Sequence, residues 1–529
     1  MKHKQNQKPN RKSVPISGIS VFSGMLLFLL LCATASAHVG SPDFYYDGYA
    51  GPYHLLVTVR PPAVIPGIAE IQVRSVAGDV NGIDILPMRL VGQGAKLAPT
   101  PDAADRSSAD PQVFTGKLWI MSRGSWKVQI NANGAKGKAE LAVPIAAVSG
   151  TSLRMQKSLG ALLAVLGLVL VVGLVGIVRA ANSDAVLAPG AKPSPSLRRR
   201  ALVITSIAAV FIVGALVFGD FWWTADASNT EKLSYKLPHV QLLLQQGNIL
   251  RLQLENPNDV SWRQYPSELR DPDQVRLDDL IPDHGHIMHL FLVGTPDMTS
   301  FWHLHPQEVS GADFSQALPG LPPGHYRVFA DIVHKTGFPE TQVGEMDLPA
   351  IAGIENGGIP HTNDDAGSNH LVAADKVFEL SDGYYMIWER DPRPLKANQA
   401  IWFRFRVEDS KGNPATDMES YMGMAGHAAF IRDDGQVFAH VHPAGSISMA
   451  AAELAQTNGG SSANPSSTQA MPAMNHTPAS AEVTFPYGFP QPGDYHIFVQ
   501  IKRAGKIETG AFVAKVAEKK ILDAAVAAR

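Results

Sequence analysis

Apolar positions along the chain follow two rhythms. Two uninterrupted runs, SLGALLAVLGLVLVVGLVGIV at 158–178 and ALVITSIAAVFIVGALVFG at 201–219, are long enough to cross a bilayer as helices. Elsewhere the runs are short, as in YHLLVTVRP, IAEIQVRSV, KLWIMS and SWKVQINAN between 50 and 148, with Pro and Gly breaking them. Short segments with period-two alternation and turn signals at close spacing predict β-sandwiches. The expected fold class is mainly β: three immunoglobulin-like β-sandwich domains, one N-terminal and two tandem repeats C-terminal, plus two transmembrane helices.

The tandem arrangement comes from an internal repeat. Placing Asp279 on Asp417 sets DLIPDHGHIMHLFLV over DMESYMGMAGHAAFI without a gap, so His289 falls on His427 and Gly285 on Gly423. FWHLHP at 301–306 then answers FAHVHP at 438–443, and PPGHYRVFADI at 322–332 answers QPGDYHIFVQI at 491–501. The expected boundaries are a repeat at 232–350, a polar linker at 354–370 and a second repeat at 371–517. The second copy carries a Ser/Ala/Asn-rich insert at about 444–481, expected to be disordered.

The N-terminus changes the compartment. Lys2, Lys4, Lys8, Arg11 and Lys12 precede the apolar MLLFLLLCA at 25–33, and ASA at 35–37 fits a cleavage site. Residues 1–37 are therefore expected to be a signal peptide, with an extracytoplasmic domain at 38–155. The loop 179–200 holds Arg179, Lys192, Arg198, Arg199 and Arg200, and positive charge marks the cytoplasmic side. The expected location is a bacterial cytoplasmic (inner) membrane, with all soluble domains on the extracytoplasmic side and the lipid bilayer as a partner. Cys32, the single cysteine, lies within the signal, which leaves the mature chain without thiolate ligands. A formal charge of −3 gives no basic surplus for nucleic acid.

The repeated histidines carry the candidate chemistry. Asp434-Gly435 between two apolar runs predicts a hairpin in which Ile431 faces Phe438, Ala429 faces His440 and His427 faces His442. His440 and His442 share a strand face, so three imidazoles converge. The alignment gives His289, His303 and His305 the same relation. His286 or its counterpart Met424 is expected to complete a fourth position in each copy, and His284 aligns with Met422. Imidazole with thioether suits copper, with zinc the alternative for an all-nitrogen set. Met471, Met474 and His476 in the insert add soft donors, and an N-terminal His38 offers a Cu(II) chelate. The metal reading makes another envelope protein or a metal transporter a partner; the competing reading is structural, with imidazoles donating to carbonyls within a scaffold that binds another envelope protein and holds no metal.

AHVGSPDFYYDGYAGPYHLLVTVRPPAVIPGIAEIQVR and HLFLV…FWHLHP…LPPGHYRVFADI resemble uncharacterised bacterial exported membrane proteins with YtkA-like and CopC-like periplasmic β-sandwiches. The resemblance implies handling of copper or other heavy metals. Signatures of hydrolases, phosphate-binding loops and nucleophilic cysteines do not occur, so catalysis is not expected.

Overall fold

Strand Gly67–Ser75 buries Ala69, Ile71 and Val73 while Glu70 between them is exposed, the period-two pattern of a sheet with one wet face. The computed structural model describes residues 43–150, 155–185, 187–188, 190–232, 235–245, 248–257, 276–352, 362–457 and 480–518. The expectations for the signal peptide, His38, Met471, Met474 and His476 lie outside the described residues.

The protein is mainly β, with several sheets and two long apolar helices. In the N-terminal part, one sheet orders Phe44–Ala50, Tyr53–Arg60, Gly67–Ser75, Val113–Ile120 and Asp105–Arg106. The other orders Asp102–Ala103, Val80–Arg89, Gly124–Gly134 and Gly137–Ala147, and Val57, Val73, Ile85, Val128 and Val143 fill the space between them.

Each repeat also has two main sheets, and the first adds a two-stranded pairing of Gly320–Leu321 with Ile351–Ala352. In both, a long strand (Gly324–His334 or Gly493–Arg503) pairs with the first strand of the histidine hairpin (Met288–Thr295 or His427–Arg432). That strand pairs in turn with the second hairpin strand (Phe301–Leu304 or Phe438–Val441). The hairpin strands are buried on both faces, because the two histidine-bearing sheets lie against one another. Leu290 and Leu292 point into the first repeat's own core, whereas Phe291 and Val293 point into a separate cluster shared with Ala429, Ile431 and Phe438. Full burial removes the polar alternation that an exposed sheet face would show.

The packing has approximate two-fold symmetry. Phe301 stacks on Phe498 with centroids 4.2 Å apart, and the corresponding pair Phe438 and Phe329 stacks at 4.2 Å. Each repeat thus offers the same patch to the other, as in a symmetric dimer built within one chain.

The N-terminal part is tied in by alternation along one strand. Tyr46 packs in its own core, while Tyr45 enters the core of the second repeat. Asp47 N donates to the Ala444 carbonyl at 2.8 Å and Ser446 N to the Tyr45 carbonyl at 3.0 Å. Gly445 makes this approach possible: at φ 125°, a Cβ there would fall 2.0 Å from the Tyr45 oxygen.

Several expected boundaries shift. The insert expected to be disordered over 444–481 folds at its start, where helix Met449–Thr457 buries Ala451 and Ala452 in the N-terminal core. Its alanine-rich sequence is a strong helix former once one face finds an apolar partner. The expected linker 354–370 contributes strand Ala366–Ser368, which pairs with Phe301–His303 and extends the first repeat's sheet. The helices run Lys157–Ser183 and Pro195–Lys232, so Arg179 and Arg198–Arg200 lie within helices rather than in the loop expected at 179–200. Both helices are long and apolar enough to cross a membrane. Asp434-Gly435 is not a two-residue turn. Arg432 N donates to the Val437 carbonyl across a loop of 433–436, and one added residue on each side leaves the expected register intact.

Candidate metal centre at the repeat boundary

The register brings the predicted trios together. Phe291 pairs with His303 and Ala429 with His440, as expected, so Leu304 and Val441 point into their cores and the flanking histidines point out. In each trio (His289, His303, His305 and His427, His440, His442) one ring nitrogen per residue lies within 4.8 Å of the others. The outward face, however, is not solvent. The two trios abut, His289 and His440 having centroids 5.3 Å apart and His303 and His427 6.0 Å. Two separate sites were expected; the sheets merge them into one buried chamber.

Two matching turns close it. His284 and Gly285 adopt φ 52° and 86°, and Met422 and Gly423 adopt 47° and 79°. Asp283 and His286 exchange backbone hydrogen bonds across the first turn, Tyr421 and Met424 across the second. The first turn sets His286 4.0 Å from His305, and His284 4.8 Å from His442 and 5.1 Å from His427, centroid to centroid. His284 thus joins the other repeat's histidines. Met424 is buried at the turn position matching His286.

Protonation follows from the partners. Gln500 Nε2 faces the Ala366 carbonyl and the Thr509 hydroxyl, which turns its Oε1 to His303 Nδ1 at 3.0 Å. His303 therefore carries its proton on Nδ1. His289 Nε2 lies 3.1 Å from the Asp283 carbonyl, an acceptor only, so His289 carries its proton there. The remaining nitrogens, His289 Nδ1 and His303 Nε2, face each other at 2.9 Å as two lone pairs. His305 Nδ1 donates to Asp365 Oδ1 at 2.9 Å, leaving a lone pair on Nε2, which is buried without a partner. Two nitrogens bound to one tetrahedral ion at about 2.0–2.1 Å stand about 3.3 Å apart, close to this spacing. Carboxylate- and amide-held imidazoles are the usual outer support of a metal site.

Burial, followed by repulsion from neighbouring rings, holds His289, His427 and His440 well below the ordinary imidazole range. Burial likewise depresses His303 and His442 strongly, and lowers His284 and His305. Neutral rings keep their lone pairs available to an ion. Burial pushes the Asp331 carboxyl, 3.5 Å from His440 Nδ1, up to about 7.

Of the seven candidate histidines, His289, His303, His305, His427 and His442 are buried, as is Met424, while His286 and His440 are partly exposed. Sequence reasoning missed Asp283, Asp331, Asp364, Asp365 and Gln500 as supports. Asp365 falls in the segment expected to be linker, and Asp331 matches Gln500 in the repeat alignment, a polar pair that the sequence itself displays.

A family model described as Domain of unknown function (DUF8832) matches residues 378–518, the second repeat. No curated protein matches. Among solved structures, an engineered protein from a structural genomics consortium is 18% identical over 18% of this chain and 20% of its own, at TM-score 0.14. The tetra-tandem repeat of the extending region of a large adhesion protein is 7% identical over 90% of this chain and 74% of its own, at TM-score 0.14. Native E. coli alpha-2-macroglobulin is 8% identical over 91% of this chain and 23% of its own, at TM-score 0.19. Scores of this size carry no argument about fold or function.

Proposed function

We propose that the protein is a membrane-anchored, extracytoplasmic metal-binding protein, for copper in preference to zinc, that senses, stores or delivers the ion rather than catalysing a reaction. In this reading three immunoglobulin-like sandwiches stand outside a bacterial inner membrane, and the helix ends that carry Arg179 and Arg198–Arg200 face the cytoplasm. The observation that carries it is the pair of lone pairs at His289 Nδ1 and His303 Nε2, 2.9 Å apart. Two buried lone pairs repel unless a cation or proton lies between them, and every other nitrogen of these rings is already committed to an acceptor. Buried imidazole excludes calcium and magnesium, which take oxygen ligands. Met424, buried at the turn position that matches His286, offers a thioether and favours copper.

The test is metal retention. The full chain in detergent is loaded separately with Cu(I), Cu(II) or Zn(II), desalted and assayed for bound metal. Retention of at least one equivalent is expected, with one equivalent fewer in the His303→Ala and His305→Ala variants. No retention above a buffer blank would leave the imidazoles as structural groups of a scaffold.

A further inference from the structure

We infer that the chamber holds two ions in unequal sites, the second of which spans the repeats through His284, His427 and His442 rather than using the second repeat's own trio. This deepens the metal-binding reading and rests on it.

The two trios match in sequence but not in their proton arrangement. In the first repeat the Asp283 carbonyl takes the Nε2 proton of His289 and turns its Nδ1 lone pair toward His303. In the second, no acceptor among the described residues reaches His427 Nε2, which is buried and without a partner there. His427 Nδ1 instead lies 3.2 Å from His440 Nε2, and His440 Nδ1 lies 3.5 Å from the Asp331 carboxyl. A proton on each Nδ1 satisfies this relay: His440 faces Asp331, His427 donates to His440, and the lone pair of His427 emerges at Nε2.

Two further free lone pairs lie in the same buried cluster as that one. His442 Nδ1 donates to the Ile447 carbonyl at 3.3 Å, and His284 interacts with the Met422 backbone through its other nitrogen. The Nε2 atoms of both are buried and unpartnered. The three ring centroids stand 4.8, 5.1 and 5.1 Å apart. Imidazoles on one tetrahedral ion, each nitrogen about 2.0–2.1 Å away, have centroids about 5 Å apart. Asp283 supplies the fourth donor: its carboxylate, His284 and His442 each place one ligand atom within 4.8 Å of the others.

Carboxyl groups border the chamber: Asp283, Asp331 and Asp365, and Asp364, whose Oδ2 lies 3.2 Å from His286 Nε2. The assignment makes His303 a ligand and its sequence counterpart His440 a positioning residue.

Stoichiometry on the full chain in detergent decides this, with Zn(II) or Cu(II) as the probe and retained metal measured after desalting. The unaltered protein should hold two equivalents. His284→Asn keeps a residue that tolerates φ 52° and should hold one, with the nitrogen ligands of the first trio unchanged by X-ray absorption. His440→Gln should still hold two, the second weakened about 10–100-fold, as for loss of an outer-shell support. The inference is overturned if His284→Asn retains two equivalents, if His440→Gln retains one at saturating metal, or if the unaltered protein saturates at one. The ion remaining in each variant reports that the chain is folded. Failure of the unaltered protein to hold any ion would instead remove the metal-binding reading itself.

Discussion

Phe301 lies flat on Phe498 across the repeat boundary, the planes 7° apart, and Phe438 lies on Phe329 at 8°. The four rings come from matching positions, so each repeat is at once donor and receiver of the same contact. All four are buried. Truncating any one of them opens a cavity between sheets that have no other means of closing it. Phe498→Ala and Phe329→Ala should each cost about 3–5 kcal/mol. Denaturant unfolding of the full chain in detergent measures this, and a cost below about 1 kcal/mol for either would mean the repeats are not held by this face.

Gln500 is the second repeat's contribution to the first repeat's trio. Its Oε1 fixes the proton on His303 Nδ1. Gln500→Met keeps the side-chain length but removes the acceptor, freeing His303 to carry its proton on Nε2, where it blocks an ion. Metal affinity should fall about 10–100-fold with the fold retained. Competition titration against a chelator measures it, and unchanged affinity would assign Gln500 to packing alone.

The sequence carried the strand pairing and the convergence of the trios, because alternation and hairpin register are local properties. Ile431 opposite Phe438 follows from counting outward along a hairpin, and it survived even a change of loop length. The face to which the histidines turned was not local. Ala429 and Phe291 read as ordinary strand residues, and only the meeting of two sheets shows that they line a third core. His284 could not be assigned from spacing, since its partners His427 and His442 lie in the other repeat. The alanines at 450–452 gave a low-complexity signal that their burial against the N-terminal part reversed.

Tyr45 couples the N-terminal part to the second repeat. Its ring is fully buried in that repeat's core, edge-on to Tyr487 at 5.5 Å, and its hydroxyl donates to the Gly488 carbonyl at 3.2 Å. Tyr45→Ala should cost about 3–5 kcal/mol. The loss should appear as faster proteolysis of the strand around residues 44–50, while the hairpin at 427–441 stays protected. Equal protection of both segments in the variant and the unaltered chain would show that the strand is held by its backbone pairing alone.

Acid should release the chamber. Seven imidazoles, His284, His289, His303, His305, His427, His440 and His442, are held below their ordinary range, chiefly by burial. Below about pH 6.5 the unfolded chain binds protons that the folded chain refuses, so folding stability falls as pH falls. Each such group contributes about 1.4 kcal/mol per pH unit between its unfolded and folded values. The buried Asp43, Asp283, Asp331 and Glu340 act in the opposite sense: raised carboxyls leave the folded state binding the extra proton, which favours folding as pH falls toward the ordinary carboxyl range. Four carboxyls oppose seven imidazoles, so the imidazoles win between pH 6.5 and 5. The metal-free full chain should therefore show a denaturant midpoint that drops between pH 7.5 and 5.5. Bound metal should resist the drop at first and then be released over the same range, because protons and the ion compete for the same lone pairs. A midpoint that stays level or rises on acidification would mean the imidazoles are less shielded from water than their burial implies.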